Sequence, residues 1–131
     1  MKKQIIIIII VLLIVVGLDM WMMSFVNSRM DNLISDLNII KADIMGNNDE
    51  LASAKIEEKY NKLLDDWSKL NKSFTIMLEH NELEKIEEAL VFTNTARQTK
   101  NIDDSIVGID KAVFLLEHLK EKETVNLRNV F

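Results

Sequence analysis

The stretch IIIIIIVLLIVVGL, residues 5–18, follows Lys2 and Lys3 and holds no polar side chain. At 1.5 Å per residue, Ile5 to Leu18 makes about 21 Å of helix, short of a hydrocarbon core of roughly 30 Å. The apolar character resumes after Asp19 with Met20, Trp21, Met22, Met23, Phe25 and Val26, and Ile5 to Val26 gives about 33 Å. The sequence therefore predicts a spanning helix over 5–26 that includes Asp19, with Trp21 toward the outer interface, where an amphipathic indole is commonly found. In lipid the backbone must satisfy its own polar groups, so even these β-branched residues are driven into a helix.

Lys2, Lys3 and the amino terminus put positive charge before the span, while Arg29 after it is balanced by Asp31. That asymmetry predicts a cytoplasmic amino terminus and an extracytoplasmic remainder. A cleaved signal peptide shares the charged start and apolar core. The small residues around Val15–Gly17 and Val26–Ser28 lack the polar approach of a cleavage site, so a retained anchor is the preferred reading. A carboxylate inside a span is costly. Asp19 is read as lying near the outer interface and drawing water to itself, in preference to pairing with a partner helix.

The remaining 105 residues suffice for one small domain with one core. The chain has no Pro and three Gly, little of the punctuation a strand-rich fold needs. It has no Cys, which removes disulfides, thiol nucleophiles and lipid attachment through Cys. The formal charge is −5; Lys2, Lys3 and Asp19 contribute +1 of it, leaving −6 beyond the anchor. That balance disfavours nucleic acid and anionic lipid surfaces, which reward basic ones.

Beyond the anchor, Met30, Leu33, Ile34, Leu37, Ile40 and Ile44 recur at helical steps, and Gly46-Asn47-Asn48 ends that run. Ile56, Tyr60, Leu63, Trp67, Leu70, Phe74 and Met77 form a heptad seam, widened by Leu64 and Leu78. A turn is expected around 79–82, with Asn81 as a helix cap. A third helix follows with Leu83, Ile86, Leu90 and Val91 or Phe92, continuing to Ala96. Thr99 to Asn101 end it. A fourth begins at Asn101 or Asp103, with Ile102, Ile106, Ile109, Val113, Leu116 and Leu119 on its apolar face. Gly108 inside that pattern costs about 1 kcal/mol relative to Ala, which points to a close helix contact there. Val125, Leu127, Val130 and Phe131 are too apolar for a free tail and are expected to dock.

Candidates for chemistry are few. His80, Glu84 and Glu87 would share a face if one helix ran through them, a set of metal-ligand type, but the expected turn breaks it. Neither His has Glu three residues before it, so the Glu-x-x-His pairs of di-iron bundles are absent. The acidic run Glu79, Glu82, Glu84, Glu87, Glu88 reads as a solvated helix start rather than an acid/base pair. No catalytic, cofactor-binding or metal-binding residue is assigned.

The lysine-led anchor, Trp67 after Leu63-Leu64, the segment His80-Asn81-Glu82-Leu83-Glu84-Lys85-Ile86, and the ending Leu116-Glu117-His118-Leu119 through Glu123 to Asn129-Val130-Phe131 carry a resemblance. Together they resemble a family of short bacterial membrane-anchored helical proteins known only as a domain of unknown function. The resemblance implies a membrane location and a helical domain, and it brings no activity or cofactor with it. The Ile5–Ile10 run and Asp19 lie outside that family's pattern.

The expectation is therefore an all-α chain, a single transmembrane helix followed by an antiparallel bundle of three to four helices. Residues 1–4 would be cytoplasmic, 5–26 the signal-anchor helix, 27–46 a juxtamembrane helix and 47–131 an extracytoplasmic bundle. The function expected is protein interaction, as an accessory module for an envelope or multispan membrane protein, with homo-oligomerisation also open. Asp19, Trp21, Val130 and Phe131 are the candidate interaction residues. A ligand-sensing bundle is the alternative, and a metal-dependent enzyme is the least favoured.

Overall fold

A computed structural model describes residues 1–46, 50–74 and 80–130, with the side chains of 50–53, 73–74 and 123–130 left out of the description. Among the described residues there are four helices and no strand: α1 (Lys2–Gly46), α2 (Glu50–Phe74), α3 (His80–Gln98) and α4 (Ile102–Val130). No Pro interrupts the chain, and α1 runs unbroken for 45 residues, about 68 Å at 1.5 Å per residue. Its first half stands clear of the rest of the molecule. Burial starts at Met23 and Val26 and continues through Met30, Leu33, Leu37 and Ile40.

The carboxyl-terminal half of α1 is thus one of the four helices of a bundle. It packs against α2 on one side and α4 on the other; α4 packs closely on α3, and α2 meets α3 least. Ion pairs across the surface mark the antiparallel registers. Lys59 Nζ lies 2.6 Å from Asp43 between α2 and α1, and Lys41 Nζ lies 2.7 Å from Asp110 between α1 and α4. Lys120 reaches Asp31 further down the same α1–α4 seam. Solvent-exposed pairs of this kind contribute about 0–1 kcal/mol each, so apolar burial holds the fold.

That core is built from the expected stripes. Ile56, Tyr60, Leu63, Trp67 and Leu70 are all buried, as are Ile109, Leu116 and Leu119 on α4 and Leu83, Ile86 and Leu90 on α3. Phe74, Met77 and Leu78 of the expected seam lie outside the described side chains. Three details differ from the sequence reading. Val91 and Phe92 face outward, and the small residues Ala89, Thr93 and Ala96 take the buried positions. Ile102 is exposed as well. Helix α3 already includes His80, so the turn expected at 79–82 does not fall within 80–82, and Asn81 is not a cap; residues 75–79 lie outside the described residues.

The α3–α4 connection shows why the chain reverses there. Lys100 takes a left-handed conformation, φ 59°. Asn101 N donates to Ala96 O at 2.9 Å and Lys100 N to Arg97 O at 3.1 Å, the paired bonds that close a helix with a left-handed residue just past its end. Asn101 then caps α4. Its Oδ1 accepts from Asp104 N at 3.1 Å, satisfying an amide that has no partner within the helix, and its Nδ2 donates to Asp104 Oδ2 at 2.7 Å, a bond between side chains that holds the cap in place. Beyond the turn, a Cβ placed on Gly108 would sit 2.2 Å from Thr93 Oγ1 and 3.1 Å from Phe92 Cδ1. This is the close contact expected at that glycine, and it lets α3 and α4 approach over the small residues of α3.

Candidate functional site

Three surfaces stand out from the bundle. The first is the free half of α1, a segment long and apolar enough to cross a membrane, none of it buried against the rest of the molecule. Ile5 to Val15 are exposed along all faces, and a helix apolar all round is one that needs an apolar solvent. Where the bundle begins, Trp21 stacks on Phe25 with ring centroids 6.1 Å apart, and the Arg29 guanidinium lies 5.1 Å from the centre of the Phe25 ring. Spaced four residues apart, the three form a ladder along one side of α1 that runs from apolar to charged. Asp19 is exposed on the helix just before it.

The second surface is a groove of about 430 Å³ along the seam between α1 and α2, lined by Phe25, Arg29, Asp36, Lys62, Asp66 and Lys69 among others. Cations and carboxylates alternate along its walls. Lys69 is also within 3.1 Å of Asp65 on its own helix. The groove is open to solvent and its floor is the apolar seam at Leu33 and Leu70.

The third is the outer face of the α3–α4 hairpin. Val91 and Phe92 on α3 and Val107 and Phe114 on α4 are exposed, Phe114 to 66%. Phe92 lies against the Gly108 backbone, so the apolar surface bridges the two helices. The Phe114 and His118 rings stack at 6.2 Å. Glu84, Glu87 and Glu88 line a shallow depression together with Val91 and Phe92. Four large apolar side chains grouped on a water-facing helix pair are more than the scattered exposed residues of an ordinary surface.

Inside, a polar cluster joins α2 to α3. The Tyr60 hydroxyl donates to Leu90 O, Thr93 Oγ1 donates to Ala89 O at 2.7 Å, and the Arg97 guanidinium lies 5.4 Å from the Tyr60 ring centre. Burial pushes the Tyr60 phenol well above its ordinary range, an effect only partly offset by the Thr93 hydroxyl and the Arg97 charge. A neutral phenol held this way is a buried hydrogen-bond donor, and the arrangement is that of a core clamp.

The candidate residues from the sequence are not gathered into one site. Asp19 and Trp21 are on the free side of α1; Val130 ends α4 with its side chain outside the description, and Phe131 lies outside the described residues. The pairs Lys41–Asp110 and Lys120–Asp31 set the α4 register against α1. Carried to the end of α4, that register brings Val130 to the height of Trp21. His80, Glu84 and Glu87 do share α3, contrary to the expected break, with His80 Nε2 3.3 Å from Glu84 Oε1 on an exposed surface. Among the described residues no group of three His, Asp or Glu side chains could hold a metal ion. The exposed Val91–Phe114 surface escaped sequence reading because one of Val91 and Phe92 was assigned to the core and Val107 and Phe114 were not singled out.

Fold and surfaces together define a class: a helical bundle whose first helix extends beyond the core as a long apolar rod. Residues 20–130 match the model of a protein family described as Domain of unknown function (DUF4363), and the chain belongs to that family. The match begins just after Asp19, so the apolar run from Ile5 lies outside it. Neither the curated proteins nor the solved structures compared with the chain give a match.

Proposed function

We propose that this protein is a non-enzymatic, single-span membrane protein whose extracytoplasmic bundle docks onto another protein of the cell envelope. The amino terminus lies in the cytoplasm, and residues 5 to about 22 cross the membrane. Burial of Met23 and Val26 in the bundle favours a lipid-embedded stretch slightly shorter than 5–26: Ile5 to Met22 makes about 27 Å of helix, close to the hydrocarbon thickness. The Trp21–Phe25–Arg29 ladder then stands at the headgroup level, where aromatic rings and cations are favoured.

The observation that carries docking is the exposed apolar surface of Val91, Phe92, Val107 and Phe114. Photo-crosslinking from position 114 in intact cells tests it. A discrete protein adduct supports docking, and labelling confined to solvent-quenched products contradicts it.

The groove between α1 and α2 favours a second reading, a bundle that senses a small polar ligand through a membrane partner. Saturable stabilisation of the full chain by a ligand, abolished by Lys62→Ala, would support that reading over docking alone.

A further inference from the structure

We infer that the outer face of α3 and α4 is where a second copy of this chain docks, side by side in the same membrane. This rests on the proposed anchoring and docking and names the partner.

Height along the bundle removes one competitor. Through the α4–α1 register set by Lys41–Asp110 and Lys120–Asp31, Phe114 stands level with residue 37 of α1 and Val107 with residue 44. These points are roughly 22 to 33 Å along the helix beyond Met22. Lipid does not reach them, so the partner that would bury this apolar surface is a protein.

The charges select the protein. On α4, Val107, Lys111, Phe114 and His118 fall at helical steps on the outward face, a basic and aromatic stripe. On α3, Glu84, Glu87 and Glu88 accompany Val91 and Phe92, an acidic and apolar stripe in which three carboxylates outweigh the exposed Lys85. Asp110, the acid beside Lys111, is already held by Lys41. The two helices run antiparallel with Gly108 against Thr93 and Lys122 near Glu82. Glu84 is therefore level with His118, and Glu88 is level with Phe114, one turn from Lys111.

Two anchored copies stand parallel, and their two-fold axis runs along the membrane normal. That axis keeps every residue at its own height and sets α3 of one copy against α4 of the other. Glu84 and Glu88 then meet His118 and Lys111, while Val91 and Phe92 meet Phe114 and Val107. The patch is self-complementary, as a two-fold interface must be. A net charge of −6 beyond the anchor opposes the approach of two copies, so a contact that sets acid against base is the favoured one.

The test uses the full chain in lipid vesicles at varied protein-to-lipid ratio, with donor- and acceptor-labelled copies read by energy transfer. Dimerisation is expected, with Lys111→Glu weakening it about tenfold or more and Phe114→Ala likewise. Lys111→Glu combined with Glu88→Lys should restore it, since the reversed pair is again complementary; circular dichroism of each variant confirms folding. A monomer at every ratio, dimerisation unmoved by Lys111→Glu and Phe114→Ala, or no rescue by the double reversal overturns the inference. The in-cell crosslink from position 114 separates the two levels. An adduct of twice the chain's mass supports the second copy, an adduct with a different polypeptide overturns it while leaving docking intact, and no adduct overturns both.

Discussion

The Tyr60 hydroxyl on α2 donates to the carbonyl oxygen of Leu90 on α3, across the seam where the ring of helices packs least. The bond closes the ring, one turn along α3 from Thr93, whose side chain faces Gly108 of α4. Tyr60→Phe should lower stability by about 1 kcal/mol, the ordinary net worth of such a bond. Denaturation of the full chain in detergent should show a lower midpoint with an unchanged slope.

Tyr60 is the sole tyrosine, so phenolate absorbance reports it alone. Its folded pKa lies above the unfolded one because burial favours the neutral phenol. Its contribution to stability is fully present below about pH 10 and is lost as pH rises beyond that. The native protein should show no phenolate signal where the denatured chain already does; matching titrations in the two states would refute a buried Tyr60.

Gly108→Ala should destabilise the bundle although Ala is the better helix former by about 1 kcal/mol. The new methyl group would meet Thr93 Oγ1 at 2.2 Å, and overpacking a core costs about 1–3 kcal/mol. Adding Thr93→Ala should recover part of the loss, measured by thermal unfolding of the three variants side by side.

Lys100 holds a left-handed backbone with a side chain that disfavours it. Lys100→Gly relieves that strain but gives the unfolded chain more freedom. A gain of up to about 1 kcal/mol is expected, and a loss in denaturant unfolding would contradict the turn geometry.

Trp21 can be read alone in a Trp67→Phe background, since the chain has two tryptophans. In vesicles its emission should be quenched most by bromine placed near the headgroups. Quenching deepest at the bilayer centre, or none, would move the start of the bundle away from Met23.

The seam Ile56–Leu70 and the stripes of α1 and α4 were legible because large apolar residues recur there at helical steps. Helix α3 was legible at Leu83, Ile86 and Leu90 but not at Val91 or Phe92, for a physical reason. Its tightest contact is with α4 over Gly108, and a close approach requires small residues, so Ala89, Thr93 and Ala96 face inward while Val91 and Phe92 are turned out. Hydropathy ranks those residues in the opposite order. The turn at Lys100–Asn101 was placed from polar residues, but its left-handed lysine carries no compositional signal. Pairs such as Asp31–Lys120 and Lys41–Asp110 join positions far apart in the chain, and the inter-helix register they set could not be read from either helix alone. The exposed apolar face of α3 and α4 was hidden for the same reasons, since it depends on that register and on both Val91 and Phe92 pointing outward.

Membrane topology is tested most directly by labelling single cysteines in this otherwise Cys-free chain. Gln98→Cys, at the exposed far end of α3, should react with a membrane-impermeant maleimide in intact cells. Lys3→Cys should react only after permeabilisation, with both variants in the membrane fraction. Protection of Gln98→Cys in intact cells, labelling of Lys3→Cys without permeabilisation, or recovery of the full chain in the soluble fraction would contradict a bundle held outside the membrane by its first helix.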